Sequence, residues 1–226
     1  MSTLTHPIAT GESAGAVSPV RKRRRTQRER SEATQGRLLD ATVASLVDLG
    51  YVGTTTTEVA QRAGVSRGAQ LHHFPTKAQL VTRAIEHLAA RFAEELRAEA
   101  GGLADDETRL AGATRLLWKV FAGPLGLAAL ELRVAARTDA ELRERLRAVN
   151  DGLDTLRRKT CRQLFGVPTE GEAPAFDRAI KLSLCLMRGM TVEQVAGAAA
   201  EESALLAMVE RMVATAIAED AAAGRA

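Results

Sequence analysis

Residues 55–74 fit two helix starts, a turn and a stop into twenty positions, which leaves the backbone little choice there. Thr55-Thr-Thr-Glu58 has the pattern of a capping box, in which the Thr55 hydroxyl accepts from the N–H of residue 58 and Glu58 reaches back to the cap. A short helix from about Thr56 to Ala63 follows, with Val59, Ala60 and Ala63 turned inward. Gly64-Val65 makes a sharp turn, where glycine takes a conformation that other residues disfavour. Ser66 caps a second short helix. That helix ends near His73-Phe74, because Pro75 disfavours helical geometry in the residue before it.

Helical signals continue on both sides. Upstream, Leu38, Leu39, Val43, Leu46, Val47 and Leu49 predict a helix from about Ser31 to Leu49, ended by Gly50. Downstream, Thr76-Lys-Ala-Gln79 is a second capping box that opens a long helix from Lys77 to Ala100. After Gly101-Gly102, helices are expected over 106–122, 124–136, 139–165, 175–196 and 201–220. Thr138-Asp-Ala-Glu141 reads as the cap of the third of these. Thr191-Val-Glu-Gln194 also fits a capping box and predicts a kink near Gly189. Aromatic residues make up only 3% of the chain, and strand-forming residues are sparse. The fold class is therefore all-α, with no strand and no internal repeat. Residues 1–30 read as a disordered arm, 31–77 as one helical domain, 78–220 as a second, and 221–226 as a frayed tail.

Charge separates these parts. Residues 21–30 hold seven Arg or Lys against one Glu, a balance of +6, whereas the whole chain carries only +3. The remainder is thus net −3. A basic run beside a compact helical unit suits an electrostatic partner such as DNA, while the C-terminal part repels one. A solvated tail or a targeting segment is the bland alternative. No segment has the roughly 20 apolar residues that a membrane span needs. Two cysteines, Cys161 and Cys185, lie outside any metal-ligand spacing, and a cytoplasmic location is expected.

Gly50-Tyr51, Thr54-Thr55, Val59-Ala60, Ala63-Gly64-Val65-Ser66, Gly68, His73-Phe74, Lys77 and Leu80 together resemble the N-terminal DNA-binding domain of TetR-family transcriptional regulators. In such a helix-turn-helix unit the second helix enters the major groove and the first crosses the phosphate backbone. Arg67, Gly68, Ala69 and His72 then lie where base edges come within reach; Arg67 suits guanine O6/N7 or a phosphate. Thr56 and Thr57 suit phosphates, and Leu71 and His73 fall near the backbone. Lys77 is placed to grip a phosphate, and Arg23, Arg24 and Arg25 of the arm add phosphate or minor-groove contacts. Two positions depart from the family pattern: Gln70 stands where Leu or Ile is usual, and Leu71 where a phosphate-binding Tyr is usual. Gln70 either faces adenine or makes a structural bond at the domain edge. His72 and His73 have no acidic or cysteine partner at metal spacing, so no metal and no cofactor are expected.

The resemblance further implies a C-terminal helical domain that encloses a small-molecule effector between helices 4 and 8 and that forms a homodimer through the last two helices. His87, Trp118, Phe121, Arg133, Met187 and Arg188 are the candidate effector contacts, with Arg133 free to pair a ligand carboxylate or a neighbouring acid. Ile180, Leu184, Met187, Val195, Leu205, Leu206, Val209, Met212, Val213 and Ile217 supply the expected dimer face. The resulting expectation is a repressor released from a near-palindromic double-stranded operator by a small effector. An effector-independent architectural DNA binder is the alternative. An enzyme is disfavoured, since no nucleophile–base set, glycine-rich phosphate loop or metal cluster is present in the sequence.

Overall fold

The computed structural model describes residues 26–104, 108–197 and 201–224. Among them the chain forms nine helices and no strand: α1 Gln27–Gly53, α2 Thr56–Arg62, α3 Arg67–His73, α4 Lys77–Ala100, α5 Thr108–Ala122, α6 Pro124–Ala135, α7 Ala140–Leu164, α8 Pro174–Val195 and α9 Glu202–Ala223. The all-α expectation holds, and α4 occupies the residues read from the sequence.

Helix α1 begins earlier than expected. Thr26 and Glu29 form a reciprocal capping box, at 3.2 Å from the Glu29 N–H to the Thr26 hydroxyl and 2.7 Å from the Thr26 N–H to Glu29. Residues 27–30 are therefore helical, which corrects their assignment to a disordered arm. The other end breaks at Gly50, whose φ of 65° and ψ of −178° interrupt the helix before one last turn. Further starts and stops differ in detail. Asp139, not Thr138, caps α7 by accepting from the Leu142 N–H at 2.9 Å. Helix α8 runs unbroken through Gly189; buried Thr191 shares its hydroxyl proton between the Met187 and Phe121 carbonyls, at 2.9 and 3.1 Å, and caps nothing. The last helix continues to Ala223, beyond the expected frayed end at 221.

Three apolar clusters hold the helices together. Leu38, Leu39, Val43, Val59, Phe74 and Leu80 join α1, α2 and α4 below α3. Leu46, Val81, Ile85, Leu132, Leu142 and Leu146 form a junction where α1 and α4 meet α6 and α7. The largest cluster centres on Leu117, Trp118, Leu164, Phe176, Met187 and Val209, from α5, α7, α8 and α9. At the bend between α5 and α6, a Cβ on Gly126 would lie 1.8 Å from the Phe121 carbonyl oxygen, so only glycine fits. Two polar clips close the far end. Buried Arg162 donates to both oxygens of Asp177, at 3.2 and 2.8 Å, and to the carbonyls of Pro168 and Gly171, tying down the loop before α8. Asp220 of α9 accepts from the N–H groups of Ala175 and Phe176 at 3.0 and 2.8 Å, so the start of α8 is capped from another helix.

Candidate nucleic-acid interface and cavity

Helices α2 and α3, seven residues each, meet across Gly64, whose φ of 60° is the left-handed turn that the sequence demands. The caps are present: Thr55 accepts from Glu58 N–H at 3.1 Å and Ser66 from Ala69 N–H at 3.3 Å. Glu58 does not close the box at Thr55; its carboxylate lies 3.4 Å from Arg62, which also holds Asp48 of α1 at 2.6 Å. Arg37 donates to the Ala63 carbonyl at 3.3 Å, and Gln35 meets His73 Nδ1 at 3.3 Å. Side chains of α1 thus brace both short helices.

Rotation of α3 about its axis is fixed by Gln70. This side chain is fully buried and donates from Nε2 to the Phe74 carbonyl at 2.8 Å, so its proposed reach to adenine is corrected in favour of the structural bond. Its amide oxygen is buried without a hydrogen-bond partner. With Gln70 inward, Arg67, Gly68, Leu71 and His72 are exposed and Ala69 is half-buried. Nothing lies within 4 Å of a Cβ placed on Gly68, so a partner can come close to the backbone there. Thr57 is exposed and Thr56 half-buried at the start of α2. Leu71, 42% exposed, is an apolar side chain left on this surface. Arg23, Arg24 and Arg25 lie outside the described residues.

Lys77 does not stand free for a phosphate. Its ammonium donates to the Tyr51 carbonyl and lies 4.0 Å from the centre of the Tyr51 ring. Burial holds the Lys77 ammonium below its ordinary value, with Asp139 partly opposing. Tyr51 itself bridges the two parts of the molecule, a role absent from the sequence reading. Its N–H donates to Glu131 of α6 at 3.2 Å, and its hydroxyl donates to Asp139, the α7 cap, at 3.0 Å. Burial, then the Asp139 hydrogen bond, pushes the Tyr51 phenol up to about 12. Asp139 is held below the usual carboxylate range, first by the Leu142 N–H and also by the Tyr51 hydroxyl.

A cavity of about 160 Å³ lies among α4, α5, α6, α7 and α8. Phe92, Leu96, Phe121, Leu130, Leu153 and Leu184 are among its apolar walls; Arg133, Arg157 and Arg188 are its charged ones. Of the expected effector contacts it gathers Phe121, Arg133 and Arg188. His87 instead turns toward Asp40 of α1 at 3.4 Å, and Met187 is fully buried in the core. Trp118 lines a separate groove with Cys185, Met190 and Leu205. These three contacts are corrected. Arg157 and Thr160 were missed, although the spacing Leu146, Val149, Leu153, Leu156 and Thr160 marks one face of α7 and could have placed them. The thiol of Cys161 is pushed up to about 12, chiefly by burial, which makes it inert packing.

The expected dimer face also changes. Ile180, Leu184, Met187, Leu206, Val209 and Val213 are buried within the chain. Of the other expected residues Val195 is exposed and Leu205, Met212 and Ile217 are half-buried, while Leu182, Val192 and Met208 are further exposed large apolar side chains of α8 and α9. No group of three or more His, Cys, Asp or Glu suited to a metal occurs among the described residues, and none of their helices is long and apolar enough to cross a membrane.

An exposed short helix, set across a glycine turn from a second one and braced by a third, defines a helix-turn-helix unit. Residues 38–84 match the family model of bacterial regulatory proteins, tetR family. A 125-residue stretch is 34% identical to an uncharacterized HTH-type transcriptional regulator of Mycobacterium tuberculosis, covering 55% of this chain and 64% of that protein. Another of 122 residues is 38% identical to the HTH-type transcriptional regulator CymR of Pseudomonas putida, covering 54% and 60%. The aligned stretches thus span under two thirds of these relatives' lengths. The fold resembles that of the transcriptional regulator FadR from Bacillus subtilis, solved in complex with stearoyl-CoA, at a TM-score of 0.56 and 19% identity over 80% of this chain and 96% of that one. Over residues 38–84 the chain is thus similar in sequence to TetR-family regulators.

Proposed function

We propose that this chain is a sequence-specific DNA-binding transcriptional regulator, a repressor that a small effector releases from a near-palindromic operator. The observation that carries the reading is the outward face of α3. Arg67, Gly68, Ala69 and His72 stand at its solvent side because Gln70 is anchored inward. Arg67 then reads guanine, Gly68 and Ala69 admit close approach, His72 lies within reach of base edges, and Leu71 and Thr57 lie against the flanking backbone. Thr56 and His73, half-buried, support that surface. Lys77 acts through Tyr51 and not on a phosphate. Residues 31–77 form the reading domain and 78–220 the effector and dimerisation domain, with the α8–α9 face of Leu182, Val192, Val195 and Met208 closing the homodimer.

Coupling between effector and operator runs through α6. This helix lines the cavity with Ala129, Leu130 and Arg133, and on it Glu131 accepts the Tyr51 N–H. Displacement of α6 by a bound molecule pulls on Tyr51, hence on Lys77 at the start of α4, and changes the separation of the two reading helices in the dimer. That a protein of this fold has been solved with stearoyl-CoA supports an effector-holding role for the cavity.

Selection of bound duplexes from a random pool by the full chain tests this. A near-palindromic sequence with half-sites one helical turn apart, about 34–36 Å, is the expected result. Enrichment of no sequence would sink the specific-reader assignment.

A further inference from the structure

We propose that the cavity takes an amphipathic carboxylate, with a ring-sized apolar body among α4, α5 and α6 and its acid group facing Arg133, Arg157 and Arg188. The inference rests on the effector reading above and adds the chemical class that it lacks. Three helices, α6, α7 and α8, each send one arginine to the same apolar space, and no Asp or Glu lines it. Arg133 donates only to the Ala129 carbonyl of its own helix, at 3.1 Å, and Arg188 only to the Cys185 sulfur, at 3.0 Å. Arg157 alone has an acid, Asp154, one turn back on α7. Two positive charges beside an apolar space are thus left without a counter-charge among the described residues.

The electrostatics agree with the geometry. Arg133 is exposed to solvent on one side and lines the cavity on the other. Burial first, and then the charges of Arg188 and Arg157, hold its guanidinium below the ordinary arginine value. An anion placed between these groups removes the mutual repulsion, and the guanidinium fork matches a carboxylate with two parallel hydrogen bonds. A second, independent feature points the same way. Thr160 is 4% exposed and lines the cavity, and its hydroxyl has no hydrogen-bond partner. A buried hydroxyl left unpaired is costly, and a ligand oxygen satisfies it. Size sets the body: an apolar cavity of about 150 Å³ holds a benzene-sized molecule, and this one is about 160 Å³. A dianionic phosphate would have to shed far more hydration in walls that are otherwise apolar, which favours the singly charged head.

Calorimetric titration of the full chain, without DNA, tests the class. The probes are benzoate, 4-ethylbenzoate and octanoate, each beside its carboxamide, with phenyl phosphate as the alternative acid. The aromatic carboxylates are expected to bind and their amides not. Arg133→Gln and Arg188→Gln should each weaken binding about tenfold or more, and Thr160→Val, nearly isosteric, by a smaller factor. Thermal melts of each variant show whether it folds, and Arg188→Lys keeps the charge while removing the fork. Equal binding of amide and acid, tighter binding of phenyl phosphate, or unchanged affinity in folded arginine variants each overturns the proposal. Its failure is separable from that of the regulator reading. Selected DNA that binds with no carboxylate bound by the protein overturns only the ligand class, whereas a carboxylate that binds but leaves the DNA complex intact overturns only effector release.

Discussion

The surface of α3 and the cavity behind α6 are both made of helix faces, yet opposite causes hold their side chains in place. Around α3 nearly every position has a local reason: Ser66 caps, Gly64 turns, Gln70 anchors and Pro75 follows the stop. The cavity is the space left where five helices fail to fill one another, and apart from Gly126 no backbone rule dictates a lining residue. One region is specified by turn chemistry and the other by what is missing from the packing. The first therefore tolerates few changes without losing its shape. The second can change its lining, and so its ligand, while the fold stays the same.

The contrast can be broken at the junction that joins the regions. Leu132 is fully buried between α1, α4, α6 and α7, and Leu132→Ala should cost about 2–5 kcal/mol. Urea unfolding followed by circular dichroism and by fluorescence of Trp118, the chain's one tryptophan, should show one shared transition. Two separated transitions would mean that the regions are independent units. Next in size, Arg67→Ala should weaken binding to a selected duplex by about 1–3 kcal/mol at fixed salt and leave ligand affinity unchanged. Fluorescence anisotropy measures the first and calorimetry the second; equal losses in both would erase the distinction.

Asp139→Asn sharpens the link between the regions, because this carboxylate caps α7 and accepts from Tyr51. Asn can also cap, so only the charge is lost, and a cost of about 0.3–1 kcal/mol is expected near neutral pH. The sign of the pH effect follows from its lowered folded value: the contribution is complete above the unfolded carboxylate range and disappears as pH falls through the folded value. Melting curves of the two proteins should therefore converge as the pH falls through and below the ordinary carboxylate range, and a gap that stayed constant would rule the charged cap out. Smallest of all, Gln70→Leu removes a half-satisfied buried amide and should change stability by no more than about 1 kcal/mol, in the stabilising direction or neutrally. Sequence preference in the duplex selection should not move. A changed preference would put Gln70 back on the DNA.

What was legible in the sequence follows the same division. Caps, glycine turns and proline stops are local, and they placed α2, α3 and α4 closely. The early start of α1 was hidden because Thr26 and Glu29 sit inside a basic run that reads as solvated tail. Gln70 was ambiguous because one side chain's direction depends on the rotation of a seven-residue helix, which the sequence alone leaves open. Tyr51 stood in a recognised motif, yet its partners Glu131 and Asp139 lie 80 and 88 residues away, beyond any local periodicity. Cavity residues fail for the same reason: His87 and Arg133 look alike on a helical stripe, and only the packing sends one toward Asp40 and the other into the cavity.

The cap that Asp220 places on α8 has a consequence during synthesis. Ala175 is made 45 residues before its acceptor. At roughly 5–20 residues per second, the first turn of α8 waits about 2–9 s for the carboxylate that satisfies its N–H groups. Until then α8 lacks both that cap and the α9 side chains that cover Met187 and Leu184. A ribosome stalled in this interval would carry α1–α7 beside an α8 whose apolar face still lacks its α9 partners.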